Sequence, residues 1–125
     1  MTDQNDTVTL ALPALDAGSQ MGMLDVDCIV ASQTNPRKTF KPEPLKELAV
    51  SIKASGVHQP ILVRPLPAKR LAETFAGRRP GAPLPTHELV AGERRWRGCI
   101  IAEVRKIPAM IRDMTDEQVL ELQNI

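Results

Sequence analysis

HELVAGERRWRG, residues 87–98, decides the fold. The run His87–Ala91 is short and apolar at its centre, as a buried strand is. Gly92 punctuates it. A helix is predicted from about Glu93 to Glu103, with Trp96, Cys99, Ile100 and Ile101 on its buried face. A strand, a glycine and a helix start leave up to four backbone N–H donors unpaired at one point, with partial positive charge beside them. That is an anion site in the making. Arg94 and Arg95 sit where the helix dipole disfavours cations, by roughly 0.3–1 kcal/mol each at exposed positions. A bound anion would offset that cost, and guanidinium groups offer bidentate contacts to phosphate. A solvated basic helix face is the alternative. Spacing does not choose between the phosphates of a nucleotide and those of nucleic acid.

Working outward from this junction, the chain reads as alternating strands and helices. "LDVDCIV" (24–30) alternates apolar and acidic residues and is predicted as a strand, followed by a loop over 31–40 in which Asn35-Pro36 marks a turn. A helix is predicted over Pro44–Ser55, because Leu45, Leu48, Ala49 and Ile52 share one face. Pro44 suits its first turn and Gly56 its C-terminal end. Ile61–Arg64 is a short buried strand. Residues 67–86 carry four of the 11 prolines and two of the seven glycines, so they are predicted as a long inserted loop with at most one helical turn at Leu71–Phe75. Residues 105–114 are predicted as a further strand. Thr115 and Gln118 then form a capping box that opens a last helix. The order implies one small α/β (α+β) domain, a mixed sheet with flanking helices. Residues 1–23 show no sustained period and are predicted as a flexible N-terminal arm.

Composition excludes several functions. The chain has 125 residues, enough for one domain with a modest core. Only 2% are aromatic, which argues against base-stacking platforms. Two cysteines, Cys28 and Cys99, give neither a zinc spacing nor a disulfide framework. The apolar runs are too short to span a membrane. Charge is unevenly spread. Residues 1–36 contain five Asp and no Lys or Arg, so all 16 basic residues lie from Arg37 onward. An anionic partner for the body is permitted by that asymmetry. Neither a catalytic triad nor a carboxylate cluster of the kind a metal nuclease needs is visible.

Three polar clusters, taken together, resemble the N-terminal domain of the ParB/RepB family of chromosome and plasmid partition proteins. They are "NPRKTF" (35–40), "GVHQPILVRP" (56–65) and "ELVAGERRWRG" (88–98), and "IPAMIRDMTDEQVLELQNI" (107–125) extends the match, so that residues 24–125 form the domain. The resemblance implies a ParB/sulfiredoxin-like fold that binds CTP with Mg2+ and closes as a clamp on DNA. It implies that Gly56, Val57, Gln59 and Pro60 lie against the base and sugar, with Arg64 nearby. Gly92, Glu93, Arg94 and Arg95 would grip the phosphates, supported by Arg97. Asn35, Pro36 and Arg37 would close near the terminal phosphates. His58 is read as an exposed residue of the turn and Trp96 as core.

The same resemblance sets limits. The family's "ENxxR" segment, which helps hold Mg2+, would lie just past Ile125, together with the DNA-binding and dimerisation domains; no metal site is therefore expected within this chain. Slow CTP hydrolysis is implied for a full-length, homodimeric, cytoplasmic partition protein on a nucleoid or plasmid, with centromere-like DNA and a ParA-type ATPase as partners. Residues 1–125 alone are expected to bind nucleotide weakly or not at all. The long 67–86 segment points to a plasmid or mobile-element subgroup. The basic arm with which some members stimulate the ATPase has no counterpart in residues 1–36. Two alternatives share the fold: a direct nucleic-acid-binding or nuclease module, and a sulfiredoxin-like phosphotransfer enzyme, which needs a reactive cysteine where Glu93–Arg95 stand.

Overall fold

Five strands pair into one mixed sheet in the order β1-β5-β3-β4-β2. The structure, a computed structural model, describes residues 19–35, 40–77 and 80–124. In chain order the elements are β1 (Ser19–Asp25), a 3-10 turn (Val26–Cys28), β2 (Ile29–Val30), α1 (Pro42–Ser55), β3 (Ile61–Pro65), α2 (Ala68–Gly77), β4 (His87–Ala91), α3 (Glu93–Ala102), β5 (Lys106–Arg112) and α4 (Asp116–Gln123). β3 is central, parallel to β5 and antiparallel to β4. The outer pairs are β1 with β5, antiparallel, and β2 with β4, parallel.

Alternation along the strands sorts residues onto two faces. Ile61 and Val63 of β3, Leu89 of β4 and Ile107 and Ala109 of β5 join Ala49 and Ile52 of α1 and Cys99 and Ala102 of α3 in one core. With so few aromatic residues, aliphatic side chains supply this burial, about 1.5–3 kcal/mol for each large one. The intervening positions Arg64, Glu88 and Met110 are also buried, on the other face. α1 and α3 meet at Gly98, where an added Cβ would lie 2.8 Å from Ile52 Cδ1. The β3–β4 register slips between Leu62 and Val63: Val63 faces Leu89, Leu62 faces Ala91, and Val90 is the extra residue.

Four expectations change. β1 begins at Ser19, so residues 19–23 belong to the sheet rather than to an arm; residues 1–18 lie outside the described residues. Met21 and Met23 are largely exposed, so backbone pairing with β5 places this strand without any buried period in its sequence. The predicted strand 24–30 is broken by the 3-10 turn, where Asp25 Oδ1 accepts from the Asp27 N–H at 3.1 Å. Residues 68–77 form a full helix in place of a loop, although none of its residues is buried; the prolines and glycines that masked it cluster after it. In α3 the buried positions are Glu93, Gly98, Cys99 and Ala102, whereas Ile100 and Ile101 are each 47% exposed. The α3 stripe is rotated from the one predicted. The capping box is present as expected: Thr115 Oγ1 accepts from Gln118 N at 3.2 Å and Gln118 Oε1 from Thr115 N at 2.9 Å.

Candidate functional site

Gly92 makes the turn from β4 into α3 with φ of 96°, in the left-handed region that favours glycine. Any Cβ there would meet Ile61 Cγ2 at 2.8 Å and Arg95 Nη1 at 3.1 Å. The glycine therefore sets both the backbone angle and the close approach of Arg95. A cleft of about 670 Å³ opens over this turn. On one side lie Gly92, Glu93, Arg94 and Arg95. Opposite are Gly56, Val57, His58 and Gln59, and Leu48, Ser51 and Ile52 of α1 complete the wall.

Each charged residue of the first α3 turn has its own part. Glu93 is buried and suits the positive end of a helix. Its Oε1 accepts from Asn35 Nδ2 at 2.6 Å, and its Oε2 accepts from Arg97 Nε at 2.9 Å. Arg97 also lies over the Phe40 ring, 4.7 Å from the centroid. Arg97 thus braces Glu93 and does not itself line the cleft. Arg95 donates from Nη1 to the Pro60 carbonyl at 2.8 Å, which couples the helix start to the 56–60 turn. Burial lowers the Arg95 pKa from its ordinary value, so an anion in the cleft would restore what desolvation takes from that charge. Arg94 is exposed on the cleft wall and forms no ion pair with a described residue. With Glu93 paired to the Arg97 cation, Arg94 and Arg95 leave the cleft with an excess of positive charge.

The 56–60 turn is shaped by Gly56. Its φ of 82° and ψ of −176° belong to a region essentially limited to glycine, and its N–H closes α1 by donating to Ile52 O at 2.7 Å. Backbone groups of this turn therefore face the cleft with no Cβ over the first of them.

Most sequence-predicted residues meet here. Asn35, Gly56, Val57, Gln59, Gly92, Glu93, Arg94 and Arg95 all line one cleft, with Pro60 joined through its carbonyl. Pro36 and Arg37 lie outside the described residues. Arg64 is the correction. It points to the opposite face of the sheet, 5% exposed, donating from Nε to Glu88 Oε1 at 2.6 Å, from Nη2 to Asp116 Oδ1 at 2.8 Å and from Nη1 to the Met114 carbonyl at 3.0 Å. Arg70 of α2 pairs with the other Glu88 oxygen. Burial works against the Arg64 charge, but the hydrogen bonds and charges of Asp116 and Glu88 outweigh it and raise its pKa. This is a structural ion network. A side chain four residues along from the turn was assigned to the site because proximity in sequence hides the alternation of a strand.

Sequence reasoning missed His58, Phe40, Ser51 and Gln123, all on the cleft wall. His58 is exposed, as expected, but on the cleft. Gln123 comes from the far end of the chain, and no local pattern points to it. The thiols do not suit nucleophilic chemistry. Cys99 is fully buried, and burial raises its pKa. Cys28 is raised too, by burial and then by Asp25 and Asp27. Among the described residues no three His, Cys, Asp or Glu side chains come together to hold a metal ion. Glu93, the carboxylate on the cleft wall, has both oxygens engaged.

Comparison with known proteins gives the family and the fold. A family model described as the ParB N-terminal domain matches residues 14–125. The probable chromosome 1-partitioning protein ParB of Deinococcus radiodurans is 40% identical over 105 residues, covering 84% of this chain and 31% of that protein. The chain thus spans about a third of the length of such relatives. The structure of C-terminally truncated ParB from Caulobacter crescentus complexed with CTP-gamma-S superposes with a TM-score of 0.67 at 34% identity, over 83% of this chain and 50% of the other. The same protein complexed to the centromeric parS site gives 0.60 at 31% identity, over 82% and 44%. Sulfiredoxin from Arabidopsis thaliana, at 20% identity and a TM-score of 0.56 over 85% and 98%, shares the fold alone.

Proposed function

This chain belongs to the ParB N-terminal domain family, and we propose that it binds CTP in the cleft between the Gly92 helix start and the 56–60 turn. One observation carries the reading. Gly92 opens the α3 N-terminus onto the same cleft that Arg94, Arg95 and the Gly56–Gln59 turn line, and a relative of the same fold is solved with a CTP analogue. The triphosphate would take the unpaired N–H groups and the two guanidinium groups. The base and ribose would lie along the 56–60 turn, where the Gln59 carboxamide can both donate and accept. Asn35, held by Glu93, stands at the end of the cleft from which residues 36 and 37 continue, and these are placed with the terminal phosphates on the strength of the resemblance.

Mg2+ accompanies CTP in this proposal, with ligands outside the described residues, and it would supply charge neutralisation to the phosphates. The chain's own residues bind and orient. Among the described residues the one carboxylate on the cleft, Glu93, is engaged by Asn35 and Arg97. Hydrolysis would therefore rest on positioning and electrostatics, as in phosphoryl transfer generally. A whole partition protein extends the proposal: homodimerisation, centromere-like DNA, a ParA-type ATPase and a cytoplasmic, nucleoid- or plasmid-associated location. No helix among the described residues is long and apolar enough to cross a membrane.

Titration calorimetry with CTP, UTP and ATP in Mg2+ buffer tests the reading. Weak binding that prefers CTP, and that falls at least tenfold in the Arg94→Ala, Arg95→Ala double variant, is expected. Binding that survives the double substitution, or no binding at millimolar CTP by a chain that also carries the expected Mg2+-holding segment, overturns it.

A further inference from the structure

We propose that Gln123 is a positioning residue for this cleft, acting through Asn35; the inference rests on the nucleotide reading and deepens it. Gln123 lies in the last turn of α4, yet it reaches the cleft wall. Its carboxamide is fully used. Nε2 donates to the Val90 carbonyl at 3.1 Å and to Ser32 Oγ at 3.0 Å, and Oε1 accepts from Thr34 Oγ1 at 2.7 Å. Ser32 is buried and is tied to Thr34 by two contacts of 3.1 Å, one to its hydroxyl and one from its N–H.

The consequence follows the chain. Residues 31–35 are neither helix nor strand, so side-chain bonds fix much of their path. Gln123 pins Ser32 and Thr34 on one side and the end of β4 on the other. The next residue is Asn35, which donates to Glu93. Glu93 in turn begins the α3 turn that carries Arg94 and Arg95. A carboxamide is suited to this place because it donates twice and accepts at once; an apolar side chain of the same length would take this partner from the Val90 carbonyl, Ser32 Oγ and Thr34 Oγ1. Gln123 therefore sets where Asn35 meets Glu93, and the phosphate end of the cleft inherits that setting.

The test is a double-mutant cycle with CTP as ligand. Gln123→Met keeps length and removes every hydrogen bond; Asn35→Ala removes the relay. Gln123→Met is expected to weaken CTP binding about tenfold while the midpoint of thermal unfolding moves by only a few degrees. It is also expected to add little in the Asn35→Ala background, since residues acting in series are not additive. In the ligand-free protein, Gln123→Met should shift the Asn35 side-chain amide resonances, and Gln123→Glu, which keeps the acceptor for Thr34, should shift them less. Fully additive losses would mean that Gln123 touches the ligand directly, and would overturn the proposal. Unchanged CTP affinity with a lowered melting temperature would overturn it too. Should a chain that carries the expected Mg2+-holding segment not bind CTP at all, the nucleotide reading fails, while the ligand-free amide shifts still decide whether Gln123 positions Asn35.

Discussion

Replacing Arg64 by methionine separates two roles that its sequence position confounds. The guanidinium is buried between Glu88, itself 3% exposed, and Asp116, and it also holds the Met114 carbonyl. Arg64→Met fills similar volume with an apolar stem. It leaves Glu88 with Arg70 as its one remaining ion partner and the Met114 carbonyl without this donor. Removing one partner of a buried ion pair costs about 3–5 kcal/mol. Arg70 stays in place and Asp116 can turn to water, so the lower end, about 3 kcal/mol, is expected. For a domain of this size that corresponds to a fall in melting temperature of about 10 °C. Urea unfolding and calorimetric melting measure it. Nucleotide affinity, titrated at 10 °C where the variant stays folded, should change less than about twofold, because the network lies on the other face of the sheet from the cleft. An unchanged melting temperature together with a large loss of CTP affinity would refute this account and return Arg64 to the site.

Two further outcomes are expected. Gly92→Ala combines left-handed backbone strain of about 1–2 kcal/mol with crowding against Ile61 and Arg95, about 1–3 kcal/mol, so urea unfolding should show a loss of roughly 2–5 kcal/mol; a loss under about 0.5 kcal/mol would contradict the observed turn. Burial lowers the His87 pKa from its ordinary value of 6.5, so the unfolded chain takes up that proton first and stability should fall as pH drops below about 6.5. Urea midpoints at pH 7.5 and 5.5 should therefore differ, and His87→Gln should flatten the difference; an equal slope in the variant would count against it.

What was legible in the sequence was local. The Gly92 junction, the α1 face, the capping box and the meeting of the 56–60 turn with the α3 start follow from periodicity, glycine chemistry and the resemblance those stretches carry. What was hidden depended on partners distant in the chain. The role of Arg64 follows from its register opposite Glu88, which no single stretch reveals. Met21 and Met23 alternate outward and bury little, so β1 gave no strand signal of its own. Ile100 and Ile101 read as core because they are isoleucines, but Gly98 and Ala102 take the inner stripe where α1 presses close. Gln123 had no pattern to mark it, since its three partners lie at residues 32, 34 and 90.

The outer pairing of the sheet also governs when the chain can fold. Ser19 pairs with Arg112 and Asp25 with Lys106, so the first strand made waits for the last. At about 5–20 residues per second of synthesis, β1 leaves the ribosome several seconds before β5 exists. The central strand β3 can pair with β4 earlier, but its other edge is completed only by that same β5. Local helices can form early, but closing a loop of this length comes late and slows folding. During that interval β1 and one edge of β3 present unpaired backbone, the state in which a nascent chain most readily pairs with a neighbour.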